Sequence, residues 1–193
     1  MSDTTQGGGS RQERIVHAAI ALLLEVGLRA TTTRAVTERA GVGTGLLNHY
    51  FRWPDLRALA WGHIFEAVAQ DQFPPDTHPQ TALERYFATA FNPDAHRFWH
   101  LWSEGADLAA TDAAMKGAVE VARSRLHGGL LNILVAGCGA EVWHLPDPQG
   151  TALRLGALYD GLAGLLLSST GDMTAAQAET HLRKAFHLET GLH

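Results

Sequence analysis

Apolar side chains recur along most of the chain with the period of an α-helix. Between Arg14 and Val26 they fall at Ile15, Ala18, Ala19, Leu22, Leu23 and Val26, the spacing of one helical face. Gly27 follows at once, where a helix C-terminus favours a left-handed residue. Thr31–Thr33 offer hydroxyl caps for a short helix over Thr33–Ala40 that ends at Gly41. Gly43 and Thr44 open another short helix to about Tyr50, and Pro54 suits the first turn of a helix running to about Gln70. The proline-rich segment Phe73–Pro79 reads as a loop. Further helices are predicted over Gln80–Phe91, Pro93–Leu108, Ala113–Ala136, Gln149–Ser169 and Thr174–Leu188. No alternating strand pattern and no fixed-period repeat is visible. The expected fold is all-α.

Composition narrows the class. With 193 residues, 46% of them hydrophobic and 18% charged, the chain can bury a real core and is not a disordered polymer. One cysteine, Cys138, excludes an internal disulfide and a multi-cysteine metal site, and reads as a small buried residue. The longest apolar runs, such as Leu162–Leu167, fall far short of the roughly 18 residues a membrane span needs. The polar, glycine-rich start, residues 1–10, reads as a disordered tail and not as a signal peptide. The expectation is a soluble cytoplasmic protein with no membrane partner. The net charge of -5 argues at first against a nucleic-acid partner. The charge is unevenly spread, however. Residues 1–54 carry six arginines against four acids, a net +2, and residues 55–193 carry nine basic against sixteen acidic residues, a net -7. A mildly basic head joined to an acidic body suggests two jobs, with domains at 11–54 and 55–193.

The head has the spacing of a helix-turn-helix: a helix to Ala40, the turn Gly41-Val42-Gly43, then a helix from Thr44. The second helix carries Thr44, Asn48, His49 and Tyr50, all hydrogen-bond donors, and Gly45 leaves its surface low for close approach. Asn bonds adenine bidentately, while Thr, His and Tyr hold phosphates or base edges. The same pattern is also compatible with a plain helical hairpin.

The words themselves add more. Ala30-Thr31-Thr32-Thr33-Arg34-Ala35-Val36, then Glu38-Arg39-Ala40-Gly41-Val42-Gly43-Thr44-Gly45-Leu46-Leu47-Asn48-His49-Tyr50-Phe51, resembles the DNA-binding domain of TetR-family transcriptional regulators. The flanking helices Ile15–Gly27 and Asp55–Val68 fit the same pattern. The resemblance implies a homodimer whose reading helices enter successive major grooves of a palindromic double-stranded operator. It also implies a helical C-terminal domain that dimerises and binds a small effector. It places Thr32 and Thr33 towards phosphate, Thr44 at the start of the reading helix, Asn48 and His49 in the groove, and Tyr50 on the backbone. Arg34 and Arg52 are additional phosphate candidates. Tyr50 and Phe51 have a second reading as an apolar plug between helices. Family members often carry a lysine after the Tyr-Phe pair; Trp53-Pro54-Asp55 stands there here, which leaves Arg52 to substitute.

In the body, Phe98, Trp99 and Trp102 cluster on one predicted helix, the indoles one turn apart, with Glu104 close by. Two indoles and a carboxylate can hold a cation; the same aromatics can equally be core. Gly45–Arg52, the pair Phe98 and Trp102, and Leu158-Tyr159-Asp160-Gly161-Leu162 look like the branch of the family that contains the choline-sensing repressor of betaine synthesis. Tyr159 and Asp160 therefore join Phe98, Trp99, Trp102 and Glu104 as ligand candidates, with Asp160 alternatively a capping or interface residue. Leucines and glycines over Gln149–Ser169, with Ala175–Leu188, read as a dimer interface built as an intersubunit four-helix bundle.

No cofactor motif and no nucleophile–base pair stands out, so the leading reading is a ligand-responsive regulator, a repressor and not an enzyme. Two alternatives remain at this level. His96, His100 and Glu104, spaced by four, define one helical face suited to a metal sensor or metalloenzyme. An architectural DNA-binding protein without an effector is the other.

Overall fold

The computed structural model describes residues 10–168 and 172–191. The expected disordered tail, apart from Ser10, and residues 169–171 and 192–193 lie outside the described residues. The described residues form helices and no strands: α1 (Arg11–Val26), α2 (Thr33–Ala40), α3 (Thr44–Tyr50), α4 (Trp53–Gln72), α5 (Pro79–Ala90), α6 (His96–Ala109), α7 (Ala113–Gly139), α8 (Pro148–Ser168) and α9 (Ala175–Glu189), with a 3-10 turn at Pro93–Ala95 before α6. The all-α expectation holds. The 3-10 turn shortens the helix expected from Pro93, because Asn92 caps it by accepting from the Asp94 N–H at 3.1 Å.

Local chemistry sets the ends. Ser10 and Glu13 form a reciprocal capping box at the start of α1, and Thr174 and Gln177 repeat it on α9. Thr32 caps α2 by accepting from the Ala35 N–H at 3.2 Å. Gly27 (φ 84°) and Gly41 (φ 62°) end α1 and α2 in backbone conformations that a side chain would strain.

The chain divides into two compact units. The first takes the described part of Met1–Ile64 together with Glu104–Val119. Its core is the α1 stripe Ile15, Ala18, Ala19, Leu22 and Leu23, closed by Val36, Leu47, Leu56, Trp61 and Met115, all buried. Each leucine, isoleucine, valine or methionine among them contributes about 1.5–3 kcal/mol on leaving water. Gly105 lies against the Trp61 indole, where a Cβ would come within 2.7 Å of the ring. Asp112 accepts from the Met115 N–H at 2.9 Å, capping α7, and pairs with Arg57 at 2.7 Å.

The second unit takes Phe65–Ser103 and Glu120–His193. Tyr86, Phe87, Phe91, Trp99, Leu134, Leu155, Leu182 and Phe186 are among its buried core. Arg183 of α9 pairs with Glu84 of α5 at 2.6 Å and lies over the Phe87 ring, 5.0 Å from its centroid. Glu189 ties α9 to α8 through Thr151 at 2.9 Å and Arg154.

Candidate functional site

In the first unit, α2 and α3 meet at the Gly41-Val42-Gly43 turn, and Leu47 pins α3 to the core with no exposed surface. The opposite face of α3 carries Thr44, Gly45, Asn48, His49 and Tyr50, all exposed. A Cβ at Gly45 would meet no protein atom within 4 Å, so nothing inside the fold requires a glycine there. His49 and Tyr50 rings sit edge to face at 5.2 Å. Tyr50 is exposed, whereas Phe51 is half-buried; of the two plug candidates only Phe51 turns inward. Thr32 spends a lone pair on the α2 cap, and Thr33 opens that helix. Arg34 pairs with Glu38 along α2 at 2.7 Å; the pair is almost fully solvated and therefore weak. Arg52 is exposed and has no ion pair among the described residues.

In the second unit, parts of α4, α5, α6, α7 and α8 surround a cavity of about 740 Å³. Of the predicted ligand residues, Phe98, Trp99, Trp102, Tyr159 and Asp160 line it. The Trp99 indole N–H donates to the Tyr159 hydroxyl at 2.8 Å, and Tyr159 stacks on Phe91 at 5.4 Å. Burial pushes the Tyr159 hydroxyl up to about 12, with the Asp160 charge adding to the rise, so the phenol stays neutral and keeps its proton. Loss of solvent raises the Asp160 carboxyl above its ordinary range, and the Arg123 guanidinium opposes that rise.

Glu104 does not line the cavity, which corrects its assignment as the acid for a cation. Its carboxylate accepts from the Leu28 N–H at 2.6 Å in the first unit. Asp107 is likewise engaged, by Arg29 at 2.6 Å. The same commitment counts against the metal reading: His96 and His100 rings lie 5.1 Å apart, but Glu104 is bound to backbone, and the described residues hold no group of three metal-ligating side chains.

Sequence reasoning missed Phe65 and Phe73 of the cavity wall, and the α7 residues Glu120, Arg123, Ser124 and His127. A signal for the latter was present. They recur at intervals of three and four, a polar stripe on a long helix that is otherwise mostly apolar or small. Arg123 stands over the Trp102 ring, 5.7 Å from its centroid, while Phe65 packs edge-on against the same indole at 5.1 Å.

A glycine-turn helix pair with an exposed second helix, in a chain that also holds a drug-sized cavity, has the arrangement of a helix-turn-helix regulator. The comparisons agree. Residues 15–52 match bacterial regulatory proteins of the tetR family, and residues 79–190 match the C-terminal domain of BetI-type transcriptional repressors. The HTH-type transcriptional regulator BetI of Burkholderia ambifaria is 27% identical over 186 residues, covering 89% of this chain and 90% of that protein. BetI of Serratia proteamaculans is 28% identical over 170 residues, covering 79% and 78%. A TetR-family regulator from Rhodococcus sp. shares the fold with a TM-score of 0.74 at 22% identity, over 93% of this chain and 98% of that one. A regulator from Saccharomonospora viridis, solved in complex with choline, does so with a TM-score of 0.75 at 16% identity, over 92% and 95%. The chain belongs to the TetR family of transcriptional regulators, with a BetI-type C-terminal domain. No helix among the described residues is long and apolar enough to cross a membrane.

Proposed function

We propose that the chain is a cytoplasmic homodimeric repressor, not an enzyme, released from a palindromic operator by an organic cation. The observation that carries the effector reading is the aromatic cavity with Asp160 and Glu120 in its wall. Ring faces attract a cation electrostatically, and carboxyl side chains in the same wall strengthen that preference. The choline in complex with the Saccharomonospora viridis regulator is a molecule of this chemical class.

We assign DNA binding to residues 11–54, and effector binding and dimerisation to 55–193. Thr44, Gly45, Asn48 and His49 are assigned to the groove and Tyr50 to the DNA backbone, supported by their shared exposure on α3. Thr32, Thr33, Arg34 and Arg52 are assigned to phosphates; the solvated Arg34–Glu38 pair opens at little cost when a phosphate replaces the carboxylate. Leu165 on α8 and Leu188 on α9, 49% and 58% exposed, support the dimer assignment to these two helices.

The test is a mobility-shift titration on DNA from the region upstream of its own gene, with and without organic cations, at fixed salt. Specific binding that cations release is the expected result. Specific binding that none of them affects would remove the effector reading and return the architectural alternative.

A further inference from the structure

We propose that the effector is a lipophilic monocation much larger than choline, and that its cationic centre replaces the protein's own Arg123 guanidinium on the face of Trp102. The inference rests on the organic-cation reading above and specifies the ligand of that same cavity.

Size is the first argument. A cavity of about 740 Å³ falls well inside the range of roughly 300–1,000 Å³ that encloses a drug-sized molecule. A compact trimethylammonium alcohol fills a small part of it. The remainder is walled by apolar groups, among them Phe73, Leu126, Leu130 and Leu167, which gain from contact with hydrocarbon and not from water.

The second argument is the scarcity of free hydrogen-bonding groups on the deep aromatic wall. The Trp99 indole N–H is spent on the Tyr159 hydroxyl. What that wall offers a ligand is ring faces and the two phenol hydroxyls of Tyr86 and Tyr159, which suits a largely hydrocarbon body with few polar substituents.

Charge supplies the third. The wall holds two carboxyl side chains, Glu120 and Asp160, against one guanidinium, Arg123. That balance favours a ligand with a single positive charge over an anion. Arg123 already shows where a cation is accepted: its guanidinium lies 5.7 Å from the Trp102 centroid and acts electrostatically on Asp160. Arg123 is exposed on α7, so it can swing into solvent and keep its hydration when a weakly hydrated quaternary ammonium takes the ring.

The experiment is isothermal titration calorimetry of the full chain at neutral pH. The probes are choline, a series of alkyltrimethylammonium ions of rising chain length below their micelle concentrations, and the alkyl sulfate of matching length. Affinity is expected to rise roughly fourfold per added methylene until the cavity is filled. Arg123→Gln should tighten cation binding severalfold by removing the internal competitor, and Asp160→Asn should weaken it at least tenfold. Ala157→Phe, which fills part of the cavity, should spare choline and weaken the long-chain ions; melting curves check that each variant is folded. Choline binding as tightly as the long-chain ions, tighter binding of the sulfate, or weaker cation binding by Arg123→Gln overturns this inference while leaving the regulator reading in place. Failure of every cation to bind overturns the organic-cation reading itself.

Discussion

The Glu104 carboxylate accepts a 2.6 Å hydrogen bond from the backbone N–H of Leu28, a buried residue just after the end of α1. One turn further along α6, Asp107 pairs with Arg29. The C-terminal half of α6 thus grips the link that leads into α2. Trp102, two residues before Glu104 on the same helix, lines the cavity. Glu104→Ala leaves the Leu28 N–H without its partner and is expected to cost about 1–3 kcal/mol, read as a lowered melting temperature. Glu104→Gln keeps an acceptor oxygen and should retain most of that stability. If α6 transmits occupancy of the cavity, Glu104→Ala also narrows the gap between operator affinities measured with and without effector, whereas an unchanged gap assigns Glu104 to stability alone.

Asp112 combines two roles, as cap of α7 and partner of Arg57, whose Nε is buried without a hydrogen bond of its own. The Met115 N–H and the Arg57 guanidinium hold its carboxyl below the ordinary range. A depressed carboxyl stabilises the fold at pH values above its unfolded pKa, near ~3.9, and loses that contribution as pH falls through the lower folded value. Asp112→Ala should therefore cost about 1–2 kcal/mol at neutral pH. The difference from the native protein should shrink in denaturant titrations carried to progressively lower pH below ~4. A difference that persists unchanged in acid would show that the side chain acts through packing and not through its charge.

Asn48→Ala removes an exposed amide from α3 while leaving the buried Leu47 anchor intact. Operator affinity should fall by about 1–3 kcal/mol, with unchanged helicity. Arg52→Ala should instead weaken binding to specific and random DNA alike and reduce the slope of log affinity against log salt by about one unit. Fluorescence anisotropy over a salt series separates the two; an Asn48 variant that binds its operator undiminished does not read bases.

How far the sequence carries depends on whether a feature is local. Helix ends were legible where Gly27 and Gly41 act on the residues beside them, whereas the Ser10–Glu13 capping box, equally local, went unread and starts α1 at Arg11, ahead of the expected Arg14. The exposed face of α3 was legible because Leu47 fixes its rotation. Trp99, Trp102, Tyr159 and Asp160 could be singled out from aromatic spacing and family words, and the fold brings all of them to one cavity. Glu104 was misread because the Leu28 N–H that claims it lies 76 residues away in the chain. Arg123 over Trp102 is likewise a contact between different helices, invisible to any window of periodicity, although the polar stripe of α7 marks the face on which it stands.

Binding of a cation in the cavity should depend on pH through Asp160. Loss of solvent raises its carboxyl above the ordinary 3.8, with Arg123 acting in the other direction. A cation favours the ionised carboxylate, so binding lowers that pKa and releases a proton; affinity must fall as pH drops through the raised value and level off above it. The other groups facing the cavity are Glu120, Arg123 and His127 on α7, Tyr86 on α5 and Tyr159 beside Asp160, while α4 and α6 contribute no charged side chain to the wall. Both phenols stay neutral throughout, because burial raises them, and Arg123 stays charged. Glu120 and His127 are therefore the groups to separate from Asp160. Calorimetric titration of an alkyltrimethylammonium ion, stepped from the ordinary carboxyl range up to neutral pH, should show the rise in the native protein, in His127→Gln and in Glu120→Gln, and a much flattened profile in Asp160→Asn. A rise that survives in Asp160→Asn and vanishes in His127→Gln would move the controlling charge from α8 to α7.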